Sequence, residues 1–567
     1  MAEFINRDDS LNQGREKLNK SIQDAEDAKV TAQDADEKAD QALSNSEDTQ
    51  NQLDQVVIEG DSSVEAAQAR VDTEGNIHQT LKERLDTEHT EVTSQLAETT
   101  DNLNKRGIDV YKFEGDDRTS ITSAIQEAKE KNVTTVNLEK RDYFLSKGLV
   151  IDDIDTLTIE GNGARLIYSG NDTQVSNADY KMVRIINSKN ITIRDLDITG
   201  GMFYGLDKLN LPTEPTHKSI HWQSNGVSID NSEDVFIEKV VTRETYRGFE
   251  VLSSTNVNIN ECNSHEVQNG YFFEGCNGFK ITNSSSYDAR YRFHDLTAYQ
   301  INHDIDTLGS QGRSFLFHNS VGIVERCNEY RGASDGFRSQ DKSEITFIDC
   351  NSYSQRRNSF SVYGIDPSKV DFINCSSYDV ANPFFWVGTD NINTFKRPAD
   401  IYSKPRGFLV SEGEHNVIMD NCKVRSSFYS DELIEDDTQI HRVKAPENLI
   451  NFITGKHCAI RNCYFEGYAT SSRTVSVSST NTLMDNITVN NDKNSSVYNR
   501  TISIEGANNA LKNSHLYYGV EGVYCGGVNN SIINNTIHYT FRTGLLCEAN
   551  KNFISNNTVI DLGKEGK

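Results

Sequence analysis

The sequence predicts an all-β right-handed parallel β-helix, a solenoid of stacked short strands, with an N-terminal α-helical coiled-coil stalk. Three observations lead to this fold class. From residue 225 onward, short segments of alternating apolar residues recur about every 21 to 25 residues. The chain has 567 residues but is only 36% hydrophobic, which favours an elongated array. Its first 104 residues are strongly acidic and contain no proline, which permits long helices.

We expect three regions along the chain. Residues 1–104 form the stalk, residues 105–150 form an N-terminal cap with the first strands, and residues 151–567 form the β-helix. Both charge and composition change near residue 105, which sets the first boundary.

The stalk is predicted from two apolar seams. The first repeats at intervals of three and four, at Ala25, Ala28, Ala32, Ala35, Ala39 and Ala42. The second contains pairs eleven residues apart, at Leu81, Leu85, Val92, Leu96 and Leu103. Helices this polar elsewhere bury too little surface to be stable alone, so we expect association with copies of the chain. The alternative is a partly disordered acidic arm.

The repeat has a fixed internal spacing in its second strand. The first instance is Val257, Ile259 and Cys262. The same spacing recurs at Ile345, Phe347 and Cys350, at Val370, Phe372 and Cys375, and at Val417, Met419 and Cys422. Because alternate strand residues share a face, stacked coils would align these residues in inward columns. The cysteines, with Cys327 and Cys463 in the same position and Cys525 and Cys547 in the first strand, are therefore interpreted as buried free thiols.

The charge and the absence of long apolar segments exclude two classes of partner. The net charge is −27 and no basic run is present, which argues against nucleic acid. No stretch approaches the roughly 18 apolar residues of a membrane span, and we expect neither membrane insertion nor a signal peptide.

Two segments resemble known proteins. Residues 109–151 resemble the opening of pectate-lyase-superfamily β-helices, through Gly115 to Asp117, Ala124 with Ile125, Val136 to Leu138, and Tyr143 to Leu145. Residues 76–92 resemble the connector of tail and appendage spikes from phages of Bacillus-like hosts. The resemblances imply a homotrimeric virion spike that acts at the host surface, where it binds and often cleaves a polysaccharide or teichoic acid. They also imply that the N-terminal region attaches to phage tail or baseplate proteins.

A candidate groove follows from the strand register. The residue pairs predicted to point inward are Phe249 and Val251, Tyr271 and Phe273, Tyr291 and Phe293, Phe315 and Phe317, Phe337 and Ser339, and Phe360 and Val362. The residues between and beside them should face solvent, and aromatic rings exposed there could stack on sugars. The candidate substrate-binding residues are Phe272, Arg292, His318, Arg338, Tyr363 and Trp386.

The candidate catalytic residues are two carboxylates and a histidine. Glu250 and Glu274 lie one coil apart in the predicted register, at a separation on the order of 8 Å, which suits an inverting hydrolase. His294 is predicted to stack beside Glu274 and to tune its pKa. The reserve carboxylates, on turns flanking the same coils, are Asp295, Asp304, Asp306, Asp335 and Asp341.

Three functions remain open at this level. The first is hydrolysis of a glycan by paired carboxylates, with no metal and no cofactor. The second is an adhesive spike that binds a glycan without cleaving it. The third is β-elimination on a uronate polymer, which would require Ca²⁺ held by aspartates.

Overall fold

A computed structural model gives the structure of the chain. The residues that it describes are 15–16, 19–20, 23, 38–52, 81–105, 107–169, 181–200, 225–287, 289, 312–330, 332, 334–353, 358–378, 406–411, 413–426, 433–436, 439–442, 449–467, 473–491 and 500–560. The chain divides into two compact units, Met1–Leu103 and Asn104–Lys567.

The first unit is helical where it is described. Helix α1 covers residues 38–52 and α2 covers Leu81–Lys105. Most of the first predicted seam, from Ala25 to Ala35, lies outside the described residues. The helices agree with the predicted stalk, whereas its coiled-coil packing stays a prediction. No helix among the described residues has the length and apolar character needed to cross a membrane.

The second unit begins with a helical cap. After β1 (Ile108–Asp109) and a 3-10 turn (Val110–Lys112), helix α3 spans Asp117–Lys131. The side chain of Asp116 accepts a hydrogen bond of 2.7 Å from the backbone N–H of Thr119, which satisfies a free donor at the helix start. The buried face of α3 contains Ile121, Ala124, Ile125 and Ala128. This is the Ala-Ile helix that the sequence resemblance implied.

Forty strands of the described chain form one parallel sheet wound into coils, as in a parallel β-helix, because each strand pairs with its counterpart in the next coil. The coils have three faces. Face 1 contains β4 (Leu149–Asp152), β6 (Val183–Ile186), β8 (Asn225–Asp230), β10 (Arg247–Leu252), β13 (Asn269–Glu274), β16 (Phe315–His318), β19 (Asp335–Gln340), β22 (Asn358–Tyr363), β25 (Arg406–Val410), β30 (Ile450–Phe452), β33 (Arg473–Val477), β36 (Arg500–Ile504), and the second parts of β38 (His515–Cys525) and β40 (Thr536–Cys547).

Face 2 follows face 1 along the chain. It contains β1, β2 (Thr135–Asn137), the first parts of β5 (Leu157–Tyr168), β7 (Lys189–Thr199) and β9 (Glu233–Arg243), then β11 (Asn258–Asn260), β14 (Asn277–Thr282), β17 (Val321–Glu325), β20 (Glu344–Ile348), β23 (Lys369–Ile373), β26 (Asn416–Asp420), β31 (Ala459–Arg461), β34 (Leu483–Asp485), β37 (Ala510–Lys512), β39 (Ser531–Ile533) and β41 (Phe553–Ser555).

Face 3 completes each coil. It contains β3 (Asp142–Leu145), the second parts of β5, β7 and β9, then β12 (Asn263–His265), β15 (Ser285–Tyr287), β18 (Asn328–Tyr330), β21 (Asn351–Tyr353), β24 (Ser376–Tyr378), β27 (Lys423–Ser426), β32 (Tyr464–Gly467), β35 (Thr488–Asn491), the first parts of β38 and β40, and β42 (Thr558–Ile560). A separate antiparallel hairpin joins β28 (Leu433–Asp436) to β29 (Gln439–Arg442).

The predicted inward columns are confirmed. Val257, Ile259 and Cys262 are fully buried, and the residues at the same spacing in later coils are buried with them. Register pairs align Phe347 with Phe372, and Phe372 with Met419. All ten cysteines are free thiols. Because every coil repeats the same internal spacing, local alternation of side chains is sufficient to build the column.

The turn between faces 2 and 3 explains why the chain is rich in asparagine. In successive coils its first residue has a positive φ, for example 56° at Asn374 and 54° at Asn421. Asparagine tolerates this left-handed conformation better than most side chains. The side chains also bond from coil to coil, since Asn421 Nδ2 donates to Asn374 Oδ1 at 2.8 Å. The buried cysteine or serine of the column follows immediately, as at Cys375 and Cys422.

Candidate functional site

The register of face 1 corrects one step of the sequence analysis. Strand β13 pairs directly with β16, which aligns Tyr271 with Phe315 and Glu274 with His318. Tyr291 and Phe293 lie outside the described residues, but the direct pairing of β13 with β16 leaves no place between these strands for the coil in which the predicted register put them. The two strands are separated in sequence by residues 275–314, which contain both β14 and β15 and a longer connection with coil-like alternation.

Three of the predicted site residues lie outside the described residues. These residues are Arg292, His294 and Trp386. Their proposed roles stay predictions. The residue whose position aligns with Glu274 in the next coil is His318, not His294.

Glu250 lies at the centre of a buried polar network. Its Oε2 atom accepts hydrogen bonds from Lys181 Nζ at 2.5 Å, from Asn225 Nδ2 at 2.7 Å and from Ser228 Oγ at 2.8 Å. Its Oε1 atom accepts from the guanidinium of Arg247. The side chain is almost completely excluded from solvent, with 4% of the residue exposed. The prediction that Glu250 faces solvent is wrong, because cations and amides from three coils close around it.

The pKa of Glu250 reflects two opposing effects. Burial raises the pKa of this carboxyl. The nearby charges of Lys181 and Arg247, with the hydrogen bonds from Lys181 and Ser228, together lower the pKa by more than burial raises it. The net pKa is below the ordinary glutamate value of 4.5. Glu250 is therefore an ionised carboxylate at neutral pH, and it cannot serve as a proton donor there.

Phe272 belongs to the same network rather than to an exposed stripe. It is 8% exposed, and the guanidinium carbon of Arg247 lies 3.5 Å from the centre of its ring. Strand register places Phe272 directly beside Glu250. Arg247 thus contacts a carboxylate and an aromatic face at once, an arrangement that holds the guanidinium in one orientation.

A second network of the same kind lies three coils further on. Arg338 donates to Asp335 Oδ2 at 3.0 Å, and its guanidinium carbon lies 4.1 Å from the centre of the Tyr363 ring. Asn358 donates to Asp335 Oδ1 at 2.6 Å. Tyr363 is 7% exposed, so the prediction that it faces solvent is also wrong. In both networks an arginine and an acid three residues apart are covered by a ring from the next coil.

Between these networks, an exposed histidine lies between two carboxylates. His318 Nδ1 is 3.3 Å from Glu274 Oε1, and His318 Nε2 is 3.4 Å from Asp341 Oδ2. The side chains are 36%, 48% and 23% exposed for His318, Glu274 and Asp341 respectively. We name these three residues the His318 site. Unlike Glu250, all three are accessible to a substrate.

The His318 site has the parts needed for acid–base chemistry. Each carboxylate can exchange a proton with the ring nitrogen that faces it, so the ring can transfer a proton from one side of the site to the other. The two contacts and the width of the imidazole put the carboxylate oxygens at most about 9 Å apart, a limit within the range for inverting glycosidases. Among the described residues, no three acidic, histidine or cysteine side chains are grouped so that they could hold a metal ion.

The sequence analysis identified some members of these groups and missed others. Glu274 and His318 were both candidates, and Asp341 was a reserve carboxylate. Lys181 was missed because it lies two coils away from Glu250, at a separation that no local pattern shows. The spacing of three between Arg247 and Glu250, and between Asp335 and Arg338, was a usable signal.

Comparisons with solved structures give fold relatives of low identity. The chain is similar to the N-terminal fragment of gene product 12 from bacteriophage Phi29, with a TM-score of 0.50 and 14% identity, over 83% of this chain and 73% of that chain. At this identity the likeness shows the fold alone. No protein-family model matches the chain, and no curated protein matches it.

Two enzymes also align with the chain, at lower TM-scores. One is the catalytic domain of a GH87 alpha-1,3-glucanase, with a TM-score of 0.34 and 14% identity, over 78% of this chain and 66% of that chain. The other is a mutant of DFA-IIIase from Arthrobacter chlorophenolicus A6, with a TM-score of 0.40 and 12% identity, over 76% of this chain and 95% of that chain. Of these three comparisons, the one with the phage protein, at a TM-score of 0.50, is the one from which we infer a shared fold.

Proposed function

We propose that this chain is a phage tail-spike or appendage protein that binds and hydrolyses a host cell-surface polysaccharide or teichoic acid at the His318 site. The observation that carries the proposal is the exposed imidazole between Glu274 and Asp341 on face 1. The fold shared with a phage protein supports the virion role. Fold alone does not identify an activity, so the site carries the catalytic part of the proposal.

In the proposed reaction, one carboxyl of the His318 site protonates the leaving oxygen and the other carboxylate activates water. His318 returns the proton between them after each turnover. Asp341 takes the place that the sequence analysis gave to Glu250, because Glu250 is buried and ionised. Glu250 instead holds Arg247 in position on face 1.

A non-cleaving adhesive spike is the second candidate. The burial of Glu250 favours it, since the carboxylate pair first predicted for hydrolysis has only one exposed member. In that case the His318 site and the two arginine networks would hold a glycan without breaking it.

The test is incubation of the purified full chain with cell-wall polymer from the host bacterium. We expect formation of reducing ends or of phosphomonoester ends, with a fall of about 10²- to 10⁴-fold in His318→Gln and Glu274→Gln while binding is retained. The matched control is Glu130→Gln, an exposed carboxylate on helix α3. Unchanged cleavage in both variants would remove the site assignment.

The same incubation separates the alternatives. If the chain binds the cell-wall polymer and no cleavage product is formed, the chain is a non-cleaving adhesive spike. Absorbance from an unsaturated sugar, lost on chelation of Ca²⁺, identifies the lyase. Attachment of residues 1–104 to the phage tail or baseplate, and a homotrimeric state, belong to the proposal and are tested by association with tail particles and by solution mass.

A further inference from the structure

Face 2 differs from the other two faces in the connections beside it. The longest connections of the described β-helix, residues 200–224, 288–314, 379–405 and 427–449, all join face 3 to face 1. The connections that lead into and out of face 2 are short, for example residues 319–320 before β17 and 349–350 after β20. In the described β-helix, therefore, no long connection begins or ends at a strand edge of face 2 that borders face 1 or face 3.

Face 2 carries an apolar patch on its outer surface. The patch consists of β-branched residues on four consecutive coils, Val321, Ile323, Ile348, Ile373 and Ile418. Val321 and Ile323 are each 40% exposed and Ile418 is 37% exposed. These side chains alternate along their strands with the buried column, so they point away from the core. We name this set the isoleucine patch.

An acidic side chain within the patch has an unsatisfied atom. Asp371 aligns with Thr346 on one side and Ile418 on the other. Its Oδ1 atom is buried and, among the described residues, has no hydrogen-bond partner. Burial raises the pKa of this carboxyl, although Lys369 lowers it in part. A buried unsatisfied oxygen is costly, so it favours a donor supplied from outside the chain.

Helix α2 has a second apolar surface that is exposed among the described residues. Leu85, Val92 and Leu96, which follow the predicted seam, are 51%, 62% and 64% exposed. Apolar seams with this spacing are typically covered by equivalent helices. Because such a seam associates with copies of the same helix, the partner that the chain itself suggests for the isoleucine patch is a further copy of the chain.

We propose that face 2 is a contact surface between copies of this chain, with the isoleucine patch at its centre. Five partly exposed side chains cover less than the roughly 800 Å² per partner of a stable interface, so the polar rim of the patch must contribute. The rim has both signs of charge, at Lys369 and Arg461 and at Asp420, which allows a copy to present opposite charges. In this contact, a donor group of the other copy would bond to the Oδ1 atom of Asp371.

The experiment measures protection of single introduced cysteines in the full chain. Val321→Cys and Ile418→Cys report on the patch, and Val150→Cys, an outward residue of face 1 that is 44% exposed, is the matched control. The chain without an introduced cysteine measures the background labelling of the ten native thiols. At a concentration where sedimentation shows an oligomer, we expect the patch cysteines to react with a maleimide at least tenfold more slowly than Val150→Cys.

A charged variant verifies that the protection comes from the contact. Ile323→Asp in the Ile418→Cys background should restore the control rate of labelling, because it adds a second carboxylate near Asp371 that the contact would have to desolvate without a partner. Patch cysteines that label at the control rate in the oligomer, or a chain that sediments as a monomer at micromolar concentration, would overturn the proposal. The inference rests on the homotrimeric state of the proposed function, which a monomer would also contradict, whereas patch cysteines that label at the control rate in an oligomer would overturn this inference alone. Neither result depends on glycan cleavage.

Discussion

Lys181 and Glu250 form an ion pair of 2.5 Å between positions two coils apart on face 1. The pair is buried, and Arg247 adds a second cation to the same carboxylate. A charge removed from such a group leaves the others in a region of low dielectric without compensation. The network therefore makes the stability of the central coils depend on one carboxylate.

Glu250→Gln should lower the free energy of unfolding by about 3–5 kcal/mol, because Lys181 and Arg247 would keep their charges without a partner. Denaturant unfolding followed by circular dichroism measures the change. Lys181→Met in the same background should recover part of the loss. A loss below about 1 kcal/mol, the median for exposed pairs, would show that the network is solvated.

Stability should fall in acid through the same residue. The pKa of Glu250 is lower in the folded chain than in the unfolded chain, so the unfolded chain binds more protons as the pH falls below about 4.5. The stabilisation is complete above that pH and is lost as the pH drops through the folded pKa. Thermal unfolding of the wild type should therefore depend more steeply on pH, below about pH 5, than that of Glu250→Gln. Parallel curves for the two proteins would contradict this assignment.

The left-handed turns predict a clear difference between two substitutions. Asn421 has a φ of 54° and an exposed side chain. Asn421→Gly keeps this conformation available and loses one hydrogen bond to Asn374, whereas Asn421→Val should cost about 1–3 kcal/mol more because a β-branched residue is strained there. Comparison of the two unfolding midpoints measures the difference. Equal midpoints would exclude a conformational role for the turn residue.

The cysteine column should be chemically inert in the folded protein. Burial raises the pKa of Cys262 to about 12 and that of Cys458 to about 11, so these two thiols carry very little thiolate near neutral pH. The column as a whole is protected by its burial, because the thiols of Cys327, Cys350, Cys375 and Cys422 are also closed to an alkylating reagent. We expect mass spectrometry after brief alkylation to find modification first at Cys547, which is only partly buried. All ten thiols should react after unfolding. Early modification of Cys350 would mean that the column opens locally.

The repeat architecture was predictable because its information is local. Two alternating residues and a cysteine after a turn recur in sequence, and hydrogen bonding between neighbouring coils aligns them. The columns at Cys262, Cys350 and Cys375 were therefore predicted at the residue level. The cap helix was also predicted, from Ala124 and Ile125 in the segment that resembles a known family.

The candidate site was only partly predictable, because alternation shows which side of a strand a residue occupies and not what covers it. Phe272 and Tyr363 point away from the core, yet each ring is buried beneath an arginine. Register failed where a long connection contained a strand-like pattern at Tyr291 and Phe293. That error separated Glu274 from His318, which the structure places in contact.

By itself, the sequence determined that this chain stacks short parallel strands around columns of aliphatic, aromatic and thiol side chains, since a period of two within each strand and a regular repeat between coils need no distant information. Tertiary structure alone decided which charges meet. Lys181 reaches Glu250, and Asp341 reaches His318, only after the intervening chain has wound into coils, because the length of each connection sets which side chains become neighbours.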